Sequence, residues 1–205
     1  MRYALDPAAL ADAVTRNCVL TQTDGTVVAM TVAFGAVLGM LVEGHPLDGE
    51  ISAKLMARVK QGALPFHTVT RGRLEAPAPG AAEAPLAGRF PSPDALLTPS
   101  SIARAARDPD VRIEPAWKAS LVYGMPCAVY HQFPAAYYLA ARFADDFESA
   151  VLHAVNGGGQ NLARAMLTGA LVGAQVGLKG IPRRFVDGLA DHAALLALAG
   201  RVAPR

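Results

Sequence analysis

Cysteine is nearly absent from this sequence. Cys18 and Cys127 are the only two in 205 residues, they lie far apart, and neither belongs to a Cys-x-x-Cys pair. That excludes a disulfide framework and a thiolate zinc site, and it leaves two small buried thiols in a reducing, cytoplasmic setting. The start agrees: Met1-Arg2-Tyr3 leads into a helix start and not into an apolar leader. Charge is scarce as well, at 18%, with 19 basic side chains against 17 acidic ones and no basic run. That balance removes the electrostatic case for nucleic acid or an anionic membrane surface. No segment alternates as a strand does, which excludes a β architecture. One long apolar run, Val27 to Val42, falls short of the ~20 residues that span a bilayer. Asp24 and Glu43 flank it, and Thr31, Gly35 and Gly39 interrupt it. It reads as a buried core helix whose small residues let another helix approach.

What is present is apolar residue at helical spacing. At 52% hydrophobic the chain is not disordered, and residues 1–205 suffice for one all-α domain with a sizeable core. Asp6-Pro7 supplies an N-cap and a first-turn proline, followed by Leu10, Val14 and Cys18 on one face. Asp24 caps the helix that runs to about Leu41. A third helix is predicted from Leu47 to Gln61, with Ile51, Leu55, Met56 and Val59 on one face. A Pro/Ala/Gly-rich stretch, densest from Leu74 to Pro93, predicts an irregular exposed loop over about 72–97. A short helix near Ser100–Arg107 is expected after a Thr98-Pro99 start. An aromatic-rich helix follows over Phe133–Phe143. Asp145-x-x-Glu148 resembles a capping box that opens the next. Further helices are expected from Leu162 to Leu178, after Pro182, and over Ala193–Val202.

The most informative feature is the loop Asn156-Gly157-Gly158-Gly159-Gln160-Asn161 between two apolar helices. Three glycines free the backbone for positive φ and leave its N–H groups unscreened. At a helix N-terminus such groups point toward negative charge. Gln160, Asn161 and Arg164 add carboxamides and a guanidinium, a set suited to phosphate, ribose or carboxylate. A tight helix–helix corner explains the glycines equally well on physics alone. The loop matches neither a Walker motif nor the dinucleotide fingerprint. The histidines at 45, 67, 131, 153 and 192 are scattered, and order alone gives no catalytic triad. His153, one turn before the loop, and His131 are the two placed to face a ligand. Cys127, Tyr130, Tyr137 and Tyr138 either line an adenine or ribose pocket or belong to the core.

Four stretches carry a family resemblance. They are Phe133-Pro-Ala-Ala-Tyr-Tyr-Leu-Ala-Ala-Arg-Phe, Asp145-Asp-Phe-Glu-Ser-Ala, His153-Ala-Val-Asn-Gly-Gly-Gly and Thr168-Gly-Ala-Leu-Val-Gly-Ala-Gln-Val-Gly-Leu-Lys-Gly-Ile-Pro. In order and spacing the region Pro126–Leu189 resembles the C-terminal part of the ADP-ribosylglycohydrolase family, which includes proteins similar to the dinitrogenase reductase-activating glycohydrolase. Thr21–Glu43 is similar to the family's Thr-His stretch and the apolar helix after it. The resemblance implies a compact all-helical fold, here without the family's N-terminal helices, and hydrolysis at the anomeric carbon of ADP-ribose. It implies an ADP-ribose-like small molecule or an ADP-ribosylated protein as partner. It also implies a pair of Mg²⁺ ions that orient the ribose and activate water.

The sequence departs from the family's metal loop, commonly Gly-Gly-Asp-x-Asp. Gln160 stands at the first aspartate and Leu162 at the second, while Arg164 fits a branch reading Gly-Gly-Asp-x-Ala-x-Arg. Gln160 and Asn161 remain as metal ligands with neutral amide oxygens. The Gly-Asp-Ala-x-Gly and Thr-Asp-Asp-Thr-type motifs of the family's N-terminal half do not occur, so the chain reads as a C-terminal portion beginning at an internal Met. The expected ligand-binding residues are Asn156, Gly157, Gly158, Gly159, Gln160, Asn161, Arg164, Tyr130 and His131. No catalytic residue is identified. The expected activity is hydrolysis of an N- or O-glycosidic bond of an ADP-ribosyl or related ribosyl group. The alternative is an inactive member acting as a nucleotide-sugar-binding or helical interaction module, in which an uncovered apolar face is met by a partner or a second copy.

Overall fold

The computed structural model describes residues 2–67, 90–91 and 93–203. Asp6 opens α1 (Pro7–Cys18) by accepting the Ala9 N–H at 3.0 Å. Asp24 opens α2 (Gly25–Val42) by accepting the N–H groups of Thr26 and Val27 at 2.9 and 3.0 Å. Both aspartates thus satisfy orphan first-turn donors, as their sequence contexts predict. Helix α2 is long and apolar enough to cross a membrane, yet 56% of it is buried inside the fold. Val32, Val37 and Met40 are almost fully enclosed. Its small residues do admit a neighbour: a Cβ on Gly35 would lie 3.0 Å from Val14, and one on Gly39 2.9 Å from Leu10, both on α1.

Helix α3 (Ile51–Lys60) buries Ile51, Leu55 and Val59, while Met56 packs at its edge. The two-residue segments Phe66–His67 and Phe90–Pro91 form a short parallel bridge. Helix α4 (Pro93–Arg107) then corrects an expectation, because residues 93–97 are helical and not part of the loop. Phe90–Pro91, also expected in that loop, pair in the bridge, and the rest of it, 72–89 and 92, lies outside the described residues. Pro99, expected near the helix start, sits inside it. Burial of Leu96, Ile102, Ala103 and Ala106 favours the longer helix over the proline's local preference. The buried Ser52 of α3 supports the break: its hydroxyl donates to the Leu97 carbonyl at 3.1 Å and accepts the Ser100 N–H at 3.2 Å.

A 3₁₀ turn (Ala116–Lys118) leads into α5 (Ala119–Tyr123), and α6 (Val129–Arg142) follows. Helix α6 starts four residues earlier than the aromatic run suggests. It is the centre of the molecule, with Phe133 and Ala135 to Ala141 all buried and Phe133 stacked on Phe34 of α2 at 4.7 Å. Against it lies an antiparallel hairpin of α7 (Phe147–Asn156) and α8 (Asn161–Gly180). The cap of α7 is Asp146, one residue later than expected; it accepts the Ser149 N–H at 3.0 Å and its hydroxyl at 2.6 Å. Glu148 does not close a capping box but pairs with Arg184. Gly169 and Gly173 face Phe147 and let the hairpin pack closely. Gly177, at φ 65°, bends the end of α8. Helices α9 (Arg183–Asp187) and α10 (His192–Val202) complete the chain, and neither contains a buried residue. Among the described residues the architecture is all-α apart from the bridge.

Candidate functional site

The glycine loop is the corner of the α7–α8 hairpin, and each glycine answers a different demand. Gly157 caps α7, and a Cβ there would collide with the hydroxyl of buried Ser120. Gly158 and Gly159 both take left-handed backbone, at φ 70° and 59°. A Cβ on Gly159 would also come within 2.6 Å of Met125 Cβ and 2.7 Å of the Met125 carbonyl. Only glycine meets the last two conditions together. Gln160 is the N-cap of α8, but its side chain makes no capping bond and is exposed. Asn156, Asn161 and Leu162 are exposed beside it, Leu162 at 80%.

Arg164 is not on this surface. Its side chain folds beneath the corner with 0% exposure. Nε donates to the Ala154 carbonyl at 3.0 Å and Nη2 to the Gly158 carbonyl, while Nη1 is buried without a partner. Ala154 carries one of the orphan carbonyls at the C-terminus of α7, so the guanidinium caps that helix and ties the glycine loop to it. Burial pushes the Arg164 pKa down. One turn on, Thr168 is equally buried and its hydroxyl is likewise unpartnered.

A second loop, residues 124–128, seats against the first. The Gln160 N–H donates to the Met125 carbonyl at 3.1 Å. Two side chains from the start of α6 fix its other edge: Gln132 Nε2 donates to the Pro126 carbonyl at 2.6 Å, and His131 Nδ1 lies 2.6 Å from the Tyr123 carbonyl. A carbonyl only accepts, so Nδ1 carries a proton, which in the neutral ring makes Nε2 the acceptor. Nε2 makes no hydrogen bond among the described residues and is not fully enclosed. Gly124, at φ 111°, makes room for the imidazole; a Cβ there would overlap the ring. Tyr130 packs edge-on against His131 and is 60% exposed.

The structure therefore brings Asn156–Asn161 together with the 124–128 loop, which leads into Tyr130 and His131 and carries Cys127, exposed where a buried thiol was expected. It withdraws Arg164 into the core. Tyr137 and Tyr138 belong to the core: Tyr138 accepts the Ile113 N–H at 2.6 Å, and burial pushes the Tyr137 hydroxyl pKa upward. Tyr123 is pushed up to about 12 by burial, with neighbouring Tyr138 adding to the rise. His153 stacks flat on Phe143 at 4.9 Å and does not serve the corner. Sequence reasoning missed Ser120, Gly124, Met125 and Gln132 as parts of the site. Only Gly124-Met-Pro, a turn-forming run before the aromatic helix, hinted at them.

With this geometry in place, comparison with known proteins adds one match: the model of the ADP-ribosylglycohydrolase family fits residues 1–205. No curated protein and no solved structure matches the chain. The Mg²⁺ pair implied by the resemblance asks for hard, charged oxygen ligands. The corner offers the neutral amides of Asn156, Gln160 and Asn161 and the apolar Leu162. Among the described residues no three His, Cys, Asp or Glu side chains gather closely enough to hold a metal ion. This donor set does not fit a resident Mg²⁺ pair.

Proposed function

The chain belongs to the ADP-ribosylglycohydrolase family, and on that premise we propose that it hydrolyses an N- or O-glycosidic bond of an ADP-ribosyl or related ribosyl group. The observation that carries this is the coincidence of the family's signature loop with a built corner. Gly158 and Gly159 open the backbone there, while the exposed Asn156, Gln160 and Asn161 offer carboxamides beside them. Carboxamides hydrogen-bond both as donors and as acceptors, which matches the hydroxyls of a ribose. Across the seam, Tyr130 offers a ring face and His131 Nε2 an acceptor for the ligand's remaining polar edge. In this reading the glycine corner binds and orients, and the 124–128 loop sets the second wall.

The test is release of ADP-ribose from ADP-ribosylated arginine and serine peptides by the full chain, with and without Mg²⁺. Product release supports the proposal, and none from either peptide overturns it. One observation favours a second reading, a binding module without turnover. Glycoside hydrolysis commonly uses a pair of carboxylates, and residues 156–164 contain none. Saturable binding of ADP-ribose without peptide turnover would select that second reading.

A further inference from the structure

The guanidinium of Arg164 is a buried cation with no acidic partner. It is enclosed completely, no carboxylate pairs with it, and Nη1 has no acceptor among the described residues. Two neutral carbonyls compensate its desolvation only in part, so a buried charge of this kind favours an anion nearby. The corner directly above it holds an array of unused donors. Among the described residues, the backbone N–H groups of Gly158, Gly159, Leu162 and Ala163 have no hydrogen-bond partner. Leu162 and Ala163 lie in the first turn of α8, a 20-residue helix whose N-cap side chain makes no bond. Their N–H groups point out of the helix end, where the dipole is positive. The guanidinium offsets the negative C-terminal end of α7, and the free donors of the α8 N-terminus leave the corner positive.

We infer that the corner binds the phosphate-ester part of its ligand without a metal ion. The positive potential comes from Arg164 below the loop and the α8 N-terminus beside it. A divalent cation at this position would face the same guanidinium and a loop without carboxylates, so both charge and ligand type oppose it. Arg164 is a positioning residue here, since it touches the loop carbonyls and not the ligand. The inference rests on the nucleotide-sugar reading above and adds which group is bound and by what charge.

Calorimetric titration of the full chain tests it. The probes are ADP-ribose, inorganic phosphate and free ribose, each in chelator and again with Mg²⁺. ADP-ribose is expected to bind equally in both buffers and more weakly as salt rises, and phosphate is expected to compete with it more strongly than free ribose does. Arg164→Met is expected to weaken ADP-ribose by about tenfold, the scale of one charge acting through protein at an intermediate dielectric, and Arg164→Lys to recover part of that loss. Because Arg164→Met also removes a helix cap, Gln160→Asp serves as a second, exposed variant. Its new carboxylate is expected to weaken ADP-ribose in chelator, and added Mg²⁺ to restore it. Stronger binding of the native chain with Mg²⁺ would overturn the inference, as would an unchanged affinity in Gln160→Asp under chelation. Binding without Mg²⁺ but with no peptide turnover would defeat the hydrolase proposal and leave this one standing. Turnover that requires Mg²⁺ would do the reverse.

Discussion

At the scale of single residues, the glycines separate conformational need from mere spacing. Gly159 combines positive φ with a close approach to Met125, so Gly159→Ala is expected to cost about 1–3 kcal/mol in urea unfolding. Gly200 is the contrast. It lies within α10 at ordinary φ with nothing near its missing Cβ, and Gly200→Ala is expected to gain up to roughly 1 kcal/mol. His131 makes a different pair of predictions. Asn at 131 keeps a donor near the Nδ1 position and removes the open Nε2. His131→Asn is therefore expected to unfold like the native chain while binding ADP-ribose several-fold more weakly in calorimetry. His131→Ala, which also releases the Tyr123 carbonyl, is expected to lose stability as well. The residue types at the corner were readable as polar and flexible from sequence. The inward turn of Arg164 was not, because its direction depends on the carbonyls of Ala154 and Gly158, which meet only when the hairpin closes.

At the scale of elements, caps decide where helices begin and small residues decide how they pack. The caps of α1 and α2 were legible because Asp6-Pro7 and Asp24-Gly25 are local signals acting on local backbone. The cap of α7 was misplaced by one residue, since Asp145 and Asp146 are adjacent and only Ser149's position distinguishes them. Hydrogen bonds from Ser149 hold the Asp146 carboxyl below its ordinary pKa of 3.8. A carboxyl that releases its proton more readily when folded stabilises fully above the ordinary carboxylate range. That contribution is lost as pH falls through the folded value. Asp146→Ala is expected to cost about 1 kcal/mol at neutral pH and to flatten the acid limb of the stability profile, as thermal melts between neutral and acidic pH would record. Helix α4 escaped the sequence because Pro93 and Pro99 both resemble starts. Burial across α3, through Ser52 and Ser100, selects the earlier one.

At the scale of the whole molecule, the fold is a central α6 wrapped by α2, α4 and the α7–α8 hairpin, with one end of that hairpin forming the site. The all-α class followed from periodicity, and the family match extends over the whole chain. What sequence could not supply was the second wall. Residues 124–128 reach the glycine loop only because His131 and Gln132 tether them at one edge and Gln160 at the other. The most direct test of the account is the rate of ADP-ribose release from an ADP-ribosylated peptide by the native chain and by Gly159→Val, each checked for folding by its thermal melt. Product is expected from the native chain, with at least a tenfold slower rate from a folded Gly159→Val, the size of effect expected when a bound group is misplaced by about an ångström. Equal rates from the two, or no product from the native chain, would contradict it.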